Sequence, residues 1–200
     1  MRNVVPIIYT GNLTMNDADN VSFGKPKATG AVYVAPAGTT LPTTAWETLN
    51  AAFDGMGYVS EDGLVNSVES NTEEVNAWGG DLVLVGQTTF KEMFTVNLIE
   101  TNAAALELYY GAGNVVVEGD GSITVAQTSE MLPHVVVVFE LVMTGGRIKR
   151  IVVPDAQIAD RSGEITYVDG EAITYPAMFV AYPDENGQTH SEYIATALSS

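Results

Sequence analysis

The longest strand signal in the chain, residues 88–99, constrains the fold most. Apolar and polar side chains alternate along it with the period of two that places successive residues on opposite faces of a strand. One face carries Phe90, Phe94, Val96 and Leu98, and the other carries Lys91, Met93, Thr95 and Asn97. The pattern predicts a strand with one buried face and one face that is half exposed or lies against a polar neighbour.

Shorter strand signals, separated by turn sequences, fill most of the remaining chain. We predict strands at 31–35, 57–69, 72–78, 82–85, 115–118, 123–126, 134–143, 148–153, 164–173, 177–182 and 189–197. Turns are predicted at Gly79-Gly80, Asp120-Gly121 and Thr144-Gly145-Gly146. This spacing indicates a mainly β fold, a two-sheet β-sandwich or barrel-like body.

Two short helices are also predicted. Thr44 and Glu47 form a capping-box pattern in front of a helix at about 45–53, which would bury Leu49 and Phe53. The sequence AAALELYY predicts a second helix at about 102–110. Its cap is Thr101 or Asn102 and its left-handed terminator is Gly111.

The first 30 residues show neither a strand nor a helix period, so we predict an extended N-terminal arm at 1–30. Residues 31–200, in a chain with 46% hydrophobic residues, are enough for a single domain with its own core. The chain has no cysteine, which excludes disulfides and thiolate sites and favours folding in a reducing cytosol. No apolar run approaches the roughly 18 residues of a membrane span, and no signal peptide is predicted.

The chain is strongly acidic, with eight Lys and Arg against 25 Asp and Glu and a net charge of −17. Basic residues are absent between Lys27 and Lys91 and again between Lys91 and Arg147. A surface that neutralises phosphates needs clustered Lys and Arg, so nucleic-acid binding is excluded as a function class. The acid keeps a protein soluble at high abundance.

The usual catalytic patterns are missing. His134 and His190 do not have metal-ligand spacing, and no serine lies in a nucleophile elbow. Adjacent carboxylates such as Glu73-Glu74 and Asp184-Glu185 point to opposite faces of a strand. We therefore predict a protein that is not an enzyme, with no catalytic residue, metal or cofactor.

Three sequence blocks follow one another in the middle of the chain. They are GYVSEDG at Gly57–Gly63, AWGGD at Ala77–Asp81, and Leu98–Asn102 leading into the alanine-rich helix. In this order and spacing the chain resembles the major tail tube protein of long non-contractile tailed bacteriophages, over about residues 30–155.

The resemblance implies a structural virion protein of the phage tail, assembled in the host cytoplasm. Six copies would form a ring, rings would stack into a tube, and strands of neighbouring subunits would join into an inner β-barrel. Genomic DNA would pass through an acidic channel without specific binding. The implied partners are further copies of the chain and other tail proteins (tape measure, terminator and distal tail proteins), and no membrane.

The resemblance also points to candidate contact residues. The excursion 65–87, centred on 69–81, is expected to be a long loop or hairpin used between subunits and rings. Its candidates for the subunit interface or the lumen are Glu69, Glu73, Glu74, Trp78 and Asp81. Trp78 is either an interface anchor or a core residue of the monomer.

Arg147, Lys149 and Arg150 form the only basic cluster, in a strand that begins just after a turn. They either solubilise a hairpin edge or pair with an acidic surface of the next subunit. Two alternatives to the tail tube remain open. One is another all-β virion component, such as a tail terminator or capsid decoration protein, and the other is a monomeric β-sandwich binding module.

Overall fold

The computed structural model describes residues 21–27, 30–159 and 163–196. The strands are β1 (Gly24–Pro26), β2 (Val32–Pro36), β3 (Asp54–Gly55), β4 (Val59–Asn76), β5 (Leu82–Leu98), β6 (Val115–Val117), β7 (Ile123–Val125), β8 (Val135–Met143), β9 (Ile148–Gln157), β10 (Tyr175–Ala181) and β11 (Ser191–Ala195). Within these ranges there is one α-helix, α1 (Ala103–Tyr110). The predicted mainly β fold with a short flanking helix is confirmed.

Nine strands form two packed layers that share β9. The pairing order is β3-β2-β8-β9-β10-β5-β4, with β1 also on β8 and β11 also on β9, and every pair is antiparallel. β9 pairs with β8 along most of its length but meets β10 only at Ala156 and Gln157. At that end the sheet passes from one layer to the other. β6 and β7 form a separate hairpin.

The core lies between the two layers. Phe139 of β8 stacks on Phe94 of β5 with ring centroids 5.4 Å apart, although β8 and β5 are not neighbours in the sheet. Phe179 of β10 meets Phe139 edge-on at 6.1 Å. These three rings are fully buried and lie at the centre of the apolar cluster. Burying side chains of this size is the main stabilising contribution to the body.

The opposite face of β8 and β9 is buried as well, which explains the continuous apolar run at 135–139. A charged pair lies on this face, because Arg150 donates from Nε and Nη2 to Glu140 Oε1. Lys27 Nζ lies 2.6 Å from the second oxygen, Glu140 Oε2. A buried carboxylate is tolerated only when it is paired in this way.

The helix predicted at 45–53 is wrong, since the segment forms bends and a turn. The first capping-box contact forms, because Glu47 N donates to Thr44 Oγ1 at 3.1 Å, while the Glu47 carboxylate accepts from Thr43 N, one residue before the cap, at 2.7 Å. However, Arg150 Nη1 donates to the carbonyl oxygens of Thr44 and Glu47, at 2.7 and 2.8 Å. A helix would need those oxygens for its own backbone bonds. The hydrogen bonds from the Arg150 guanidinium therefore take the place of the helical backbone bonds that the local sequence favours.

The strand predicted at 164–173 is also wrong. Residues 163–174 are irregular, with a turn at Gly170, where φ is +85°. The adjacent side chains Tyr167 and Val168 are both exposed, so the apparent alternation does not define a buried face. The last predicted strand, 189–197, is the shorter β11.

The N-cap prediction for α1 is confirmed, and the helix ends at Gly111 as predicted, although a ψ of 136° places that glycine outside the left-handed helical region. Asn102 accepts a hydrogen bond from Ala105 N at 2.8 Å through its side chain, and Gly111 N donates to Glu107 O at 2.8 Å. Gly111 has a φ of +97°, which a residue with a Cβ rarely adopts. The helix buries Ala105 and Tyr109 against the core.

Most of the predicted N-terminal arm lies outside the described residues, as do residues 197–200. The described part, 21–27, runs along β8. Phe23 N donates to Thr144 Oγ1 at 2.9 Å, and β1 pairs with residues 141–143. The division into an arm at 1–30 and a single domain at 31–200 stays a prediction.

Candidate functional site

The most prominent feature of the surface is a long hairpin made by β4 and β5, which are 18 and 17 residues long. The two strands join at a turn where Gly79 and Gly80 have φ values of +124° and +97°. Every residue from 68 to 91 is exposed except Gly86, which is half-buried. We call residues 68–91 the distal hairpin. The prediction of a long hairpin is confirmed, with the predicted short strands fused into two continuous ones.

Strand pairing sorts the side chains of the distal hairpin onto two faces. The face that continues the core side of β5 carries Val68, Ser70, Thr72, Glu74, Leu82, Val85, Gln87 and Phe90. The opposite face, which we call the outward face, carries Glu69, Asn71, Glu73, Val75, Leu84, Thr89 and Lys91. Both faces are open to solvent in the subunit described here.

Polar side chains brace the middle of the distal hairpin. Asn71 Nδ2 donates to Thr89 Oγ1 at 2.9 Å on the outward face, and Gln87 Nε2 donates to Ser70 Oγ at 3.0 Å on the core-side face. The register shifts between Asn71 and Thr72, where Thr88 is the extra residue. Such a bulge increases the local twist of the ribbon. These bonds support an ordered hairpin in the free subunit.

The end of the distal hairpin carries apolar side chains on both faces, with Glu74 and Asn76 beside them on the core-side face. Its exposed apolar side chains are Val75, Trp78, Leu82, Val83, Leu84 and Val85, which we call the apolar tip. Trp78 is fully exposed, at 107% of its reference area, which excludes the alternative that it is a core residue of the monomer. An exposed apolar cluster of this kind is typical of an interaction site.

A buried carboxylate holds the root of the distal hairpin. Glu92 is only 2% exposed, and it accepts a hydrogen bond from Asn66 Nδ2 at 2.7 Å. Thr189 Oγ1 donates to its other oxygen, and His190 Nδ1 lies 3.0 Å from that oxygen. Burial raises the pKa of Glu92, but the hydrogen bonds from Asn66, Thr189 and His190 outweigh it, so the net pKa is lowered. The carboxylate is therefore charged at neutral pH and ties β4, β5 and the segment before β11 together.

Two of the three sequence blocks meet beside this hairpin. Glu100 accepts a hydrogen bond from Tyr58 N at 2.7 Å and another from Asn102 Nδ2 at 2.9 Å. A Cβ atom on Gly57, which has a φ of +82°, would lie 2.4 Å from the Glu100 carboxyl carbon. Gly57, the first residue of GYVSEDG, is therefore needed for the contact that links the start of β4 to the cap of α1. The third block, AWGGD, is the turn of the distal hairpin.

The predicted acidic candidates all lie on the distal hairpin, on different faces. Glu69 and Glu73 share the outward face, Glu74 lies on the core-side face, and Asp81 lies at the turn. Ala77 N donates to Asp81 O at 2.7 Å and closes that turn. The four carboxylates therefore do not form one cluster.

The three predicted basic candidates also lie in different environments. Arg150 is buried, and its partners Glu140, Thr44 and Glu47 belong to the same chain. Lys149 is partly exposed and pairs with Glu192 of β11 at 2.7 Å. Arg147, at the β8–β9 turn, donates to Ser22. Only Arg147 and Lys149 have surface left to offer a partner.

The described residues hold no group of three or more His, Asp or Glu side chains that could bind a metal. In that same part of the chain, no helix is long and apolar enough to cross a membrane. His134 Nδ1 lies 2.6 Å from Asp155 Oδ1, and the centre of its ring lies 4.8 Å from that of the Tyr182 ring. These contacts favour a structural role for His134.

The apolar tip is not predicted from the sequence, because residues 82–85 are interpreted there only as a strand of the folded body. The signal was nevertheless present. Leu82-Val83-Leu84-Val85 is apolar at four consecutive positions, whereas a strand on the surface of a soluble domain normally alternates. The buried Glu92 was also missed, since it occupies a core-facing position between Phe90 and Phe94.

Comparison with known families gives a result that agrees with this geometry. A family model described as phage tail tube protein matches residues 15–200, nearly the whole chain. The match includes the long hairpin, α1 and both layers of the body. No curated protein matches the chain.

Proposed function

The chain belongs to the phage tail tube protein family, and we propose that six copies form a ring, that rings stack into a hollow tube, and that phage DNA passes through its channel. The role is structural: the chain supplies a wall and binds mainly to other copies of itself. Tape measure, terminator and distal tail proteins would bind the tube in the assembled virion tail.

The observation that carries this proposal is the distal hairpin. An isolated two-stranded ribbon is marginal in water, and its unpaired strand edges invite pairing with another chain. Here the outer edge of β4 has no strand partner in the described residues, and the ribbon ends in the exposed apolar tip. In a monomer these features are liabilities, whereas in a polymer they are contact surfaces.

Electrostatics set a condition on assembly. Six chains with a net charge of −17 would bring about a hundred negative charges into one ring, so close packing works against repulsion. We propose that Arg147 and Lys149, at one end of the β8–β9 hairpin, approach acidic side chains of a neighbouring copy. Apolar burial at the tip of the distal hairpin supplies the remaining attraction.

The outward face of the distal hairpin supplies candidates for the channel wall. Glu69, Asn71 and Glu73 form a polar row there, while Glu74 lies on the opposite face. We propose that Glu69 and Glu73 face the channel and that Glu74, Trp78 and Asp81 lie at subunit contacts. An anionic wall repels DNA phosphates, so the duplex slides without adhering.

Negative-stain electron microscopy of the purified chain, over a range of protein and salt concentrations, tests the proposal. Hollow tubes or stacked six-fold rings are the expected result. Closed rings that never stack would favour a terminator or capsid decoration protein. Compact monomers that persist when the tape measure and distal tail proteins are added would favour the binding module and contradict the tube.

A further inference from the structure

The apolar tip of the distal hairpin differs from an ordinary docking surface because it carries apolar side chains on both faces. Val75 and Leu84 pair on the outward face, and Leu82 and Val85 lie on the core-side face, opposite Asn76 and Glu74. All four apolar side chains are between 49% and 60% exposed in the single subunit. A hairpin that rests on one partner surface needs only one apolar face, and its other face is expected to be polar.

The strand sequence supports the same interpretation. Leu82-Val83-Leu84-Val85 has the continuous apolar pattern that is typical of strands buried on both faces. The β8 strand of this chain is an internal reference, because its apolar run at Val135–Phe139 is covered from both sides. Residues 82–85 have the same apolar composition, but they are exposed in the single subunit.

We propose that, in the assembled tube, the apolar tip of each distal hairpin is enclosed on both faces by neighbouring copies of this chain. This inference rests on the proposed function, because it takes the tube as the assembled state. Each tip is inserted between two surfaces rather than laid on one. The polar row Glu69, Asn71 and Glu73 lies closer to the body and stays outside the enclosure.

The size of the apolar tip favours enclosure over contact on one side. With about 3.3 Å per residue, residues 75–85 form a ribbon about 18 Å long. One face of that ribbon, about 10 Å wide, offers only about 180 Å², which is small beside the roughly 800 Å² that a stable interface buries per partner. Burial of both faces doubles the area that each tip contributes. A second copy is the occupant because the proposed function builds the tube from copies of this chain and because the outer edge of β4, which has no strand partner in the described residues, can pair with a strand of another copy.

Two cysteine variants test the two faces separately. The chain has no cysteine, so Val75→Cys and Val85→Cys each introduce a single thiol. The two valines are matched, being 49% and 50% exposed, and they lie on opposite faces. Val168→Cys, at a valine that is 50% exposed outside the distal hairpin, reports any general slowing of the reagent.

The measurement is the rate of maleimide labelling in dispersed subunits and in tubes, with the tubes verified by microscopy. A variant that does not polymerise alone is added as a minor component to wild-type chain, and the tubes are purified before labelling. We expect both Val75→Cys and Val85→Cys to be slowed at least tenfold more than Val168→Cys.

The possible outcomes are distinct. Slowing at one position only would overturn the enclosure and leave the tip lying on a single surface. Tubes in which neither thiol is slowed would overturn the enclosure and also the assignment of the distal hairpin to subunit contacts. Failure of the wild-type chain to form tubes, even with the tape measure and distal tail proteins present, would contradict the proposed function itself, before either face is tested.

Discussion

Asn66 Nδ2 donates a hydrogen bond of 2.7 Å to the buried carboxylate of Glu92, and this bond joins the two strands of the long hairpin where it leaves the body. Thr189 and His190 bind the same carboxylate from the segment before β11. The distal hairpin is therefore fixed at its root by one charged group of β5 with partners on β4 and on the segment before β11.

Acid should weaken this root. Because the pKa of Glu92 is lowered in the folded chain, its contribution to stability is fully present above the unfolded value, 4.5, and is lost as pH falls through the lower folded value. We expect Glu92→Gln to unfold more easily at pH 7, by about 1–3 kcal/mol, as for other lost hydrogen bonds to a charged group. The difference from wild type should shrink below pH 4.5.

Urea unfolding of wild type and Glu92→Gln between pH 3 and pH 7 measures this difference. Glu118→Gln, at an exposed residue of the β6–β7 hairpin, is the matched control and should change stability little at any pH. A constant gap between wild type and Glu92→Gln across this range would refute the assigned role of the carboxylate.

The buried ion pair between Arg150 and Glu140 predicts unequal effects for two neighbouring arginines. Arg150→Ala would leave Glu140 with Lys27 alone and would release the carbonyls of Thr44 and Glu47. We expect a loss of about 3–5 kcal/mol, as found when one partner of a buried pair is removed. Arg147→Ala, at a partly exposed site, should cost less than about 1 kcal/mol. If thermal or chemical unfolding shows that Arg150→Ala loses as little stability as is expected for Arg147→Ala, Arg150 is not a structural residue.

Salt should promote assembly. The Debye length falls from about 10 Å at 0.1 M salt to about 3 Å at 1 M, which screens repulsion between chains that each carry a net charge of −17. We expect the lowest protein concentration that gives tubes, measured by sedimentation, to fall as sodium chloride rises. A rise with salt would indicate instead that pairs involving Arg147 and Lys149 dominate the attraction.

Charge reversal on the outward face tests the channel wall. The double variant Glu69→Lys and Glu73→Lys should still form tubes but should reduce infectivity at least tenfold, because lysines in the channel would hold the DNA phosphates. Glu74→Lys, one residue away on the opposite face, should weaken tube formation instead. Normal infectivity of phage that carry the double variant, with the lysines shown to face the channel, would contradict the proposed lining.

The sequence predicted the parts of this fold that depend on local signals. The capped helix α1, the Gly79-Gly80 turn and the alternation at Phe94, Val96 and Leu98 need only neighbouring residues, and all three are confirmed. Phe90, predicted on the same buried face, is 54% exposed because it lies on the distal hairpin, outside the body. The helix at 45–53 failed because Arg150, about a hundred residues later, takes its carbonyl oxygens. Such a long-range competitor leaves no trace in the local pattern.

The candidate site was predicted by region rather than by face. The position of the long hairpin and the presence of its acids were readable from the sequence, whereas the sorting of Glu73 from Glu74 needed the register of β4 on β5. Trp78 could not be assigned from the sequence, because a tryptophan suits a core and an interface equally well. Its full exposure excludes the core of the subunit, and its role at an interface stays a prediction.

The most direct test of the account compares the wild-type chain with the double variant Trp78→Ser and Leu84→Ser. Both side chains are exposed in the single subunit, so the free energy of unfolding should stay within about 0.5 kcal/mol of wild type. The measurement is the critical concentration for tube formation, by sedimentation with electron microscopy of the pellet. The account predicts tubes from wild type and none from the variant at tenfold higher concentration. Tubes from both chains at the same critical concentration would contradict the claim that the distal hairpin drives assembly.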